Sequence, residues 1–422
     1  MTLVSEKAVR VRGRLPEEPE IPSHVPPALV MEPLDWEDTN SLIDPFSITE
    51  RVIEELPPIF YSPRPRPGTC GAPWILTRYD DIRRAYENGE YYSNRDSAAF
   101  HRLLGETFLL IPGNIDQPKH SKYRLFLNPR FSPRAMAQME GAILESISHL
   151  IDDFIEKGHC DAAYDFGRVY PVVVFLDFMG FPRSMLDEFL SWAYAILHSY
   201  GDIERIQWGM GSAIRYLRNY IPDLRDKPED NTLGSYIVHG KIDGVPLTED
   251  EIMGMMTFLW LGGLDTVAAT TSLMLRRLAL QPDLQQRLRD NPDLINPAVE
   301  EFLRTQPLVS SGRLVIKDHE ICGQLVKAGD SVLCANNVGN FDPQIFESPR
   351  TFAPERANNR HFTFGGGPHL CLGIHLARLE LRTALREFLR RVPFFKLAPG
   401  VACDAMPGLI AAPHVPILWD AR

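Results

Sequence analysis

Apolar positions recur at helical spacing over several long stretches of the chain. Met136, Met139, Ile143, Ile147, Leu150, Ile151 and Phe154 fall three or four residues apart. They follow Ser132-Pro133, an N-cap serine with proline at the first helical position, and Gly158 ends the run. A second start signal is the capping box Thr248-Glu249-Asp250-Glu251, after which the apolar pattern continues to about Leu280 and stops at Gln281-Pro282. A helix of that extent is roughly 50 Å long at 1.5 Å per residue, so it is expected to cross a whole domain and be largely buried. The last long helix is predicted from about Cys371 to Arg391, ended by Pro393.

Strand signals are sparse. Trp74-Ile75-Leu76-Thr77 is one. Leu314-Val315-Ile316, Gln324-Leu325-Val326 and Ser331-Val332-Leu333, punctuated by Gly323 and Gly329, predict a small antiparallel sheet. The fold class is mainly α with a small β region, and no linker splits the chain. Residues 1–422 therefore read as a single domain, preceded within it by a Pro-rich, loop-rich segment over about residues 1–45.

Composition adds mostly exclusions. Prolines number 35 in 422 residues, about 8% against a usual ~5%, and many lie near the N-terminus. A net charge of −11 argues against a nucleic-acid binder. The charged opening MTLVSEKAVRVRGRLPEEPE does not resemble a signal peptide or anchor, and no membrane association is expected. Six cysteines lie scattered, without a CxxC pair, which suits a cytoplasmic protein better than a disulfide framework.

The densest chemistry lies in Phe364-Gly365-Gly366-Gly367-Pro368-His369-Leu370-Cys371-Leu372-Gly373. Three glycines let the backbone pass close to a flat object, and Cys371 sits at the expected helix start, where free N–H groups favour a thiolate. Gly373 leaves clearance for a planar group over the sulfur. A lone cysteine is more often a small buried hydrophobe. A phosphate loop fails, because neither GxGxxG nor GxxxxGK is present. Zinc on His369, Cys371 and His375 lacks a fourth ligand. Haem ligation by a thiolate suits the whole set best.

The segment resembles the haem-binding signature of the cytochrome P450 family, FGxGxHxCxG. The resemblance extends over most of the chain and is closest to soluble bacterial members of the camphor-hydroxylase type. It implies a single-domain cytochrome P450 fold holding haem b, with Cys371 as the iron ligand and Phe364 and Gly262 against the macrocycle. His120, Arg124, Arg313 and His369 stand at positions resembling the family's propionate contacts. Ser311 replaces an Asp found in camphor-type members. Glu301-Phe302-Leu303-Arg304 resembles the ExxR pair, with Arg356 joining it in a network behind the haem. Glu347/Arg350 and Glu387/Arg390 fit the same spacing.

Leu261-Gly262-Gly263-Leu264-Asp265-Thr266 places two glycines inside the long helix, each costing about 1 kcal/mol relative to alanine. Close packing would explain them. The resemblance implies instead a kink making room for O₂, with Thr266 at the oxygen and Asp265 passing protons from solvent. A substrate pocket is expected from Phe108, Phe258, Leu261, Val309, Leu409 and Ile410. Camphor-type members carry a hydrogen-bonding tyrosine where Phe108 stands, so terpenoid-like hydrocarbons are favoured over camphor itself.

The implied function is a monooxygenase inserting one atom of O₂ into a small apolar substrate. No flavin or iron–sulfur segment is fused to the chain, so electrons are expected from a separate [2Fe-2S] ferredoxin and its NAD(P)H-dependent reductase. Arg83, Arg84, Lys119 and Lys122 are candidates for the docking face of what reads as a monomer. A peroxide-driven haem-thiolate enzyme and a non-enzymatic haem-thiolate sensor are the alternatives.

Overall fold

The computed structural model describes residues 20–31, 46, 48–63, 71–95, 104–199, 202–400 and 411–420. Most of the Pro-rich N-terminal segment lies outside them. Helices dominate. The capping box forms as expected: the Thr248 hydroxyl accepts from the Glu251 N–H, and the Glu251 carboxylate accepts from the Thr248 N–H at 2.8 Å.

The long helix is not continuous. It consists of Glu249–Gly263 and Thr266–Leu280, separated by Leu264 and Asp265. Its two halves serve different cores. Ile252, Met255, Met256, Leu259 and Trp260 pack with the helices Val169–Met179 and Ile203–Arg225. Leu273, Met274, Leu275 and Leu278 pack with Glu140–Asp152, Ile295–Thr305 and the C-terminal helix Ile374–Arg391. The span Glu249–Leu280 is long and apolar enough to cross a membrane, but 67% of its most apolar window is buried within the protein. Lining two cores accounts for its hydrophobicity.

Two other elements differ from expectation. The run after Ser132 divides into Pro133–Ala137 and Glu140–Asp152, because Met139 N–H bonds back to Met136 O in a tighter turn. The expected three-strand sheet also divides. Cys322 and Gly323 both take positive φ (51° and 75°), the two-residue turn that closes His319–Ile321 onto Gln324–Val326 as a separate hairpin. Ser331–Cys334 pairs antiparallel with Ser311–Val315, but also parallel with Pro73–Leu76, inside a mixed five-stranded sheet. Its four residues are all buried, as a strand covered on both faces requires.

Candidate active site: a cysteine loop facing a broken helix

The cysteine loop is held by its own backbone. Cys371 N–H donates to Phe364 O at 2.9 Å, and Gly365 N–H to Phe362 O at 2.8 Å. Gly365 and Gly367 take φ of 69° and 62°, and a Cβ on Gly367 would overlap the Tyr86 carbonyl, so glycine is required there. The C-terminal helix begins at Ile374, three residues beyond Cys371, rather than at the cysteine. Cys371 is exposed and lines a cavity of about 420 Å³. Burial raises the thiol's pKa, opposed by the Gly373 N–H and by Arg124 and Arg378. The helix-start argument for a free thiolate therefore does not prevail in the protein alone. A thiolate here needs a bound cation to compensate its burial.

Four nitrogen-bearing side chains converge on the same cavity. His120 and His369 stack with ring centroids 4.1 Å apart. Arg313, 7% exposed, lies 4.8 Å over the Tyr86 ring and donates to Gly312 O at 2.8 Å. Arg124 donates to Leu370 O at 2.8 Å, tying the helix Lys119–Leu127 to the loop. Burial and then Arg124 push the His120 pKa down to about 4; burial and then His120, Arg313 and Arg124 push His369 to about 3. This is a cluster of donors crowded together and short of an anion. His120 Nε2 is buried without a hydrogen-bond partner among the described residues. Built Cβ atoms on Gly262 and Gly373 would meet nothing within 4 Å, so both glycines leave open space on the cavity. A thiol below, clearance at two glycines and donors for two carboxylates fit an iron macrocycle bearing propionates.

Behind the loop, Glu301 and Arg304 are fully buried and bonded by two contacts, Nε–Oε2 at 2.8 Å and Nη2–Oε1 at 2.7 Å. Arg356 Nε donates to Glu301 Oε1 at 3.2 Å, and Ala353 N–H and Asn359 Nδ2 complete the carboxylate's shell. Arg304 also donates to Asn340 O and Pro349 O. Asn340 Oδ1 in turn accepts from Phe362 N–H, and its amide donates to Thr363. The network thus reaches the residues just before the glycines. Among the competing spacings, Glu387–Arg390 is an ion pair with its arginine largely exposed, and Arg350 bonds to Phe46 O and Thr49.

The broken helix separates the two residues expected to work as a pair. Thr266 lines the cysteine cavity, whereas Asp265 lines a second cavity on the other side of the helix and accepts from His198 Nε2 at 2.9 Å. The physical cause is the break itself: Asp265 is not helical (φ −120°, ψ −27°) and precedes the half that Thr266 begins, so the two neighbouring side chains reach different cavities. Gly263 is a packing glycine, since a Cβ would overlap the Phe175 ring, while Gly262 opens onto the cavity.

Of the expected pocket residues, Phe258 and Val309 line the cavity. Phe108 and Leu261 do not; Phe108 is 5% exposed within the second core and Leu261 packs against that core. Their neighbours Leu110, Pro112, Leu259 and Gly262 take those places. The inference from Phe108 to camphor discrimination thereby loses its footing. Leu409 and Ile410 lie outside the described residues. Among the basic candidates, Arg83, Arg84 and Lys122 each face an acid (Asp80, Asp81 and Asp243), which blunts the expected positive patch.

Sequence reasoning missed Glu380. It is buried on the C-terminal helix and lines the cavity, and burial pushes its pKa well above the usual carboxylate range. The signal was present: Leu376, Ala377, Leu381, Ala384 and Leu385 form an apolar stripe that Glu380 interrupts. Tyr86 and Asn340 were missed too; nothing in their local sequence distinguishes them.

With this geometry in place, the comparisons agree. Residues 223–403 match the family model "Cytochrome P450". The probable cytochrome P450 127A1 of Sinorhizobium fredii is 36% identical over 398 residues, covering 93% of this chain and 94% of that protein. The polyketide biosynthesis cytochrome P450 PksS of Bacillus subtilis is 30% identical, over 84% and 90% of the two chains. The crystal structure of CYP101C1 superposes with a TM-score of 0.82 at 28% identity, covering 95% of this chain and all of that one. The fold and site define a haem-thiolate oxidoreductase. The chain belongs to the cytochrome P450 family, and it is a monooxygenase with haem b as cofactor and O₂ as co-substrate.

Proposed function

We propose that the enzyme hydroxylates a small, apolar, terpenoid-like substrate in the cytoplasm, as a single-domain monomer fed by a separate [2Fe-2S] ferredoxin and NAD(P)H-dependent reductase. The observation that carries the substrate class is the cavity wall opposite Cys371. Leu110, Phe175, Phe178, Phe258 and Val309 offer apolar surface, and the volume of about 420 Å³ is shared between macrocycle and substrate. That lies low in the range of ~300–1,000 Å³ usual for ligand sites, and such a pocket selects by shape and apolar area. Relatives named for polyketide biosynthesis and for mycinamicin hydroxylation point to a larger substrate as the alternative.

Haem, held by Cys371 and by His120, Arg124, Arg313 and His369 at its propionates, supplies redox chemistry and O₂ activation. The chain's residues do the rest. Thr266, whose hydroxyl donates to Gly262 O at 3.3 Å, presents an alcohol to the cavity across the helix break. Asp265 connects that step to solvent from the far side. The apolar wall keeps bulk water from the reacting carbon. Glu301, Arg304 and Arg356 keep the cysteine loop in register.

The test is a screen of monoterpenes for displacement of water from the iron, read in the Soret band, followed by NADH consumption with a supplied ferredoxin and reductase. Thr266→Ala is expected to keep consuming NADH while yielding peroxide or water instead of product. Normal product formation by Thr266→Ala, or a preference for macrolides over monoterpenes, would count against the proposal. Equal turnover with peroxide alone would favour the peroxide-driven alternative, and a CO spectrum without turnover the sensor.

A further inference from the structure

Asp265 faces away from the cysteine cavity, so what it faces decides how protons reach it. It lines a second cavity of about 470 Å³ whose wall is part apolar and part polar, with Arg168, Asp187, Arg205 and His414 among the polar residues. His198 stands between this cavity and the helix break, its side chain 3% exposed. One ring nitrogen, Nε2, is 2.9 Å from Asp265 Oδ2. The other, Nδ1, is buried without a partner among the described residues. Tyr194 stacks on the imidazole at 5.0 Å, and the Arg205 guanidinium lies 5.4 Å from that tyrosine's ring centroid. An imidazole with one nitrogen on a carboxylate and the other unsatisfied beside a partly polar cavity is arranged to pass protons.

We propose that His198 is the inlet through which protons from water in the second cavity reach Asp265 and, through it, the Thr266 side of the break. The proposal rests on the Asp265–Thr266 role given above. The proton count balances. Neutral His198 holds a proton at Nε2, donated to the Asp265 carboxylate. A proton from cavity water arrives at Nδ1, and the Nε2 proton passes to Asp265. Asp265 then releases it toward Thr266 and returns to carboxylate, while a ring flip of the neutral imidazole restores the starting arrangement. Asp265 borders the second cavity and the adjacent Thr266 the first, and Asp265 is the only charged residue between Glu251 and Arg276. His198 touches neither substrate nor haem, so it is a positioning and relay residue.

Protein-film voltammetry of the haem-loaded enzyme tests this, with dioxygen as the probe and the electrode as electron source, so neither the substrate nor the redox partner need be known. His198→Gln keeps an N–H donor for Asp265 but cannot relay. Its O₂-reduction current is expected to fall at least about tenfold, with a larger loss in D₂O. Its pH dependence should flatten between about pH 5 and 8, where imidazoles change charge. A merely structural role would survive this substitution. In ¹⁵N-histidine NMR of the CO-bound ferrous protein, the resonance absent in His198→Gln should show the Nε2–H tautomer, and Asp265→Asn should disturb it. A Gln variant with wild-type current, isotope effect and pH profile would overturn the inlet. Unchanged current and isotope effect in Asp265→Asn would instead overturn the underlying relay.

Discussion

Removing the Glu301 carboxylate perturbs the site without touching the cavity. In Glu301→Ala, Arg304 keeps its bonds to Asn340 O and Pro349 O but loses the carboxylate that pairs with it in a fully buried position, and Arg356, Ala353 N–H and Asn359 lose an acceptor. Breaking a buried pair from one side typically costs 3–5 kcal/mol, because an uncompensated charge is left behind. The upper half of that range, about 4–5 kcal/mol, applies here, since three further donors are orphaned. Guanidinium unfolding of the haem-loaded protein, followed by circular dichroism and the Soret band, reads the loss. The double variant Glu301→Leu/Arg304→Met replaces the pair by apolar side chains of similar volume. It should recover only the part due to the unpaired Arg304 charge, because Arg356, Ala353 N–H and Asn359 still lack their acceptor; that partial recovery is the coupling within the pair. Haem affinity should not recover with it, because Asn340 loses the arginine that ties it to the loop. A Glu301→Ala protein within about 1 kcal/mol of wild type would refute the reasoning.

Other consequences follow from the same geometry. Gly263→Ala is expected to destabilise by about 1–3 kcal/mol through overlap with Phe175, whereas Gly262→Ala should leave thermal stability unchanged or raised while lowering turnover; melting curves and NADH assays separate the two. Arg313→Leu and Arg124→Leu should each speed haem loss about tenfold or more, measured by transfer to an excess of a haem-accepting globin. Glu300 is paired with Arg378 by bonds of 2.8 and 2.7 Å; burial opposes its ionisation, but hydrogen bonds from His361 and Arg378 outweigh it and hold the carboxyl at about 2. A depressed folded-state pKa gives stability that is present above the unfolded value of 4.5 and lost as pH falls towards 2. Glu300→Gln should therefore show a shallower loss of unfolding midpoint across that window than wild type.

Much of the site was legible because its chemistry is local. The glycines, His369 and Cys371 are contiguous, and Glu301 and Arg304 share one helix face three residues apart. The capping box at Thr248 was equally readable. What escaped depends on three-dimensional packing. The break at Leu264 and Asp265 reflects a helix passing between two cores, which apolar spacing alone renders as one continuous run. Asp265 and Thr266 looked like one device because they are adjacent, yet the break falls between them, with Asp265 outside the helix that Thr266 begins. Phe108 and Leu261 are off the cavity wall because their immediate neighbours face it. Asn340 joins the arginine network to the cysteine loop from a short helix with no distinguishing pattern. Glu380 was readable as a carboxylate in an apolar stripe.

The central claim is that Cys371, and no other side chain, ligates the iron through its thiolate. The most direct measurement is the CO difference spectrum of the reduced protein, recorded for wild type, Cys371→His and Cys371→Ala. Wild type is predicted to give the long-wavelength Soret band of a thiolate–CO complex. Cys371→His should still bind haem but move the band to the shorter wavelength of an imidazole–CO complex, and Cys371→Ala should lose the thiolate band altogether. Persistence of the long-wavelength band in either variant would contradict the assignment of Cys371 and the account of the site built on it.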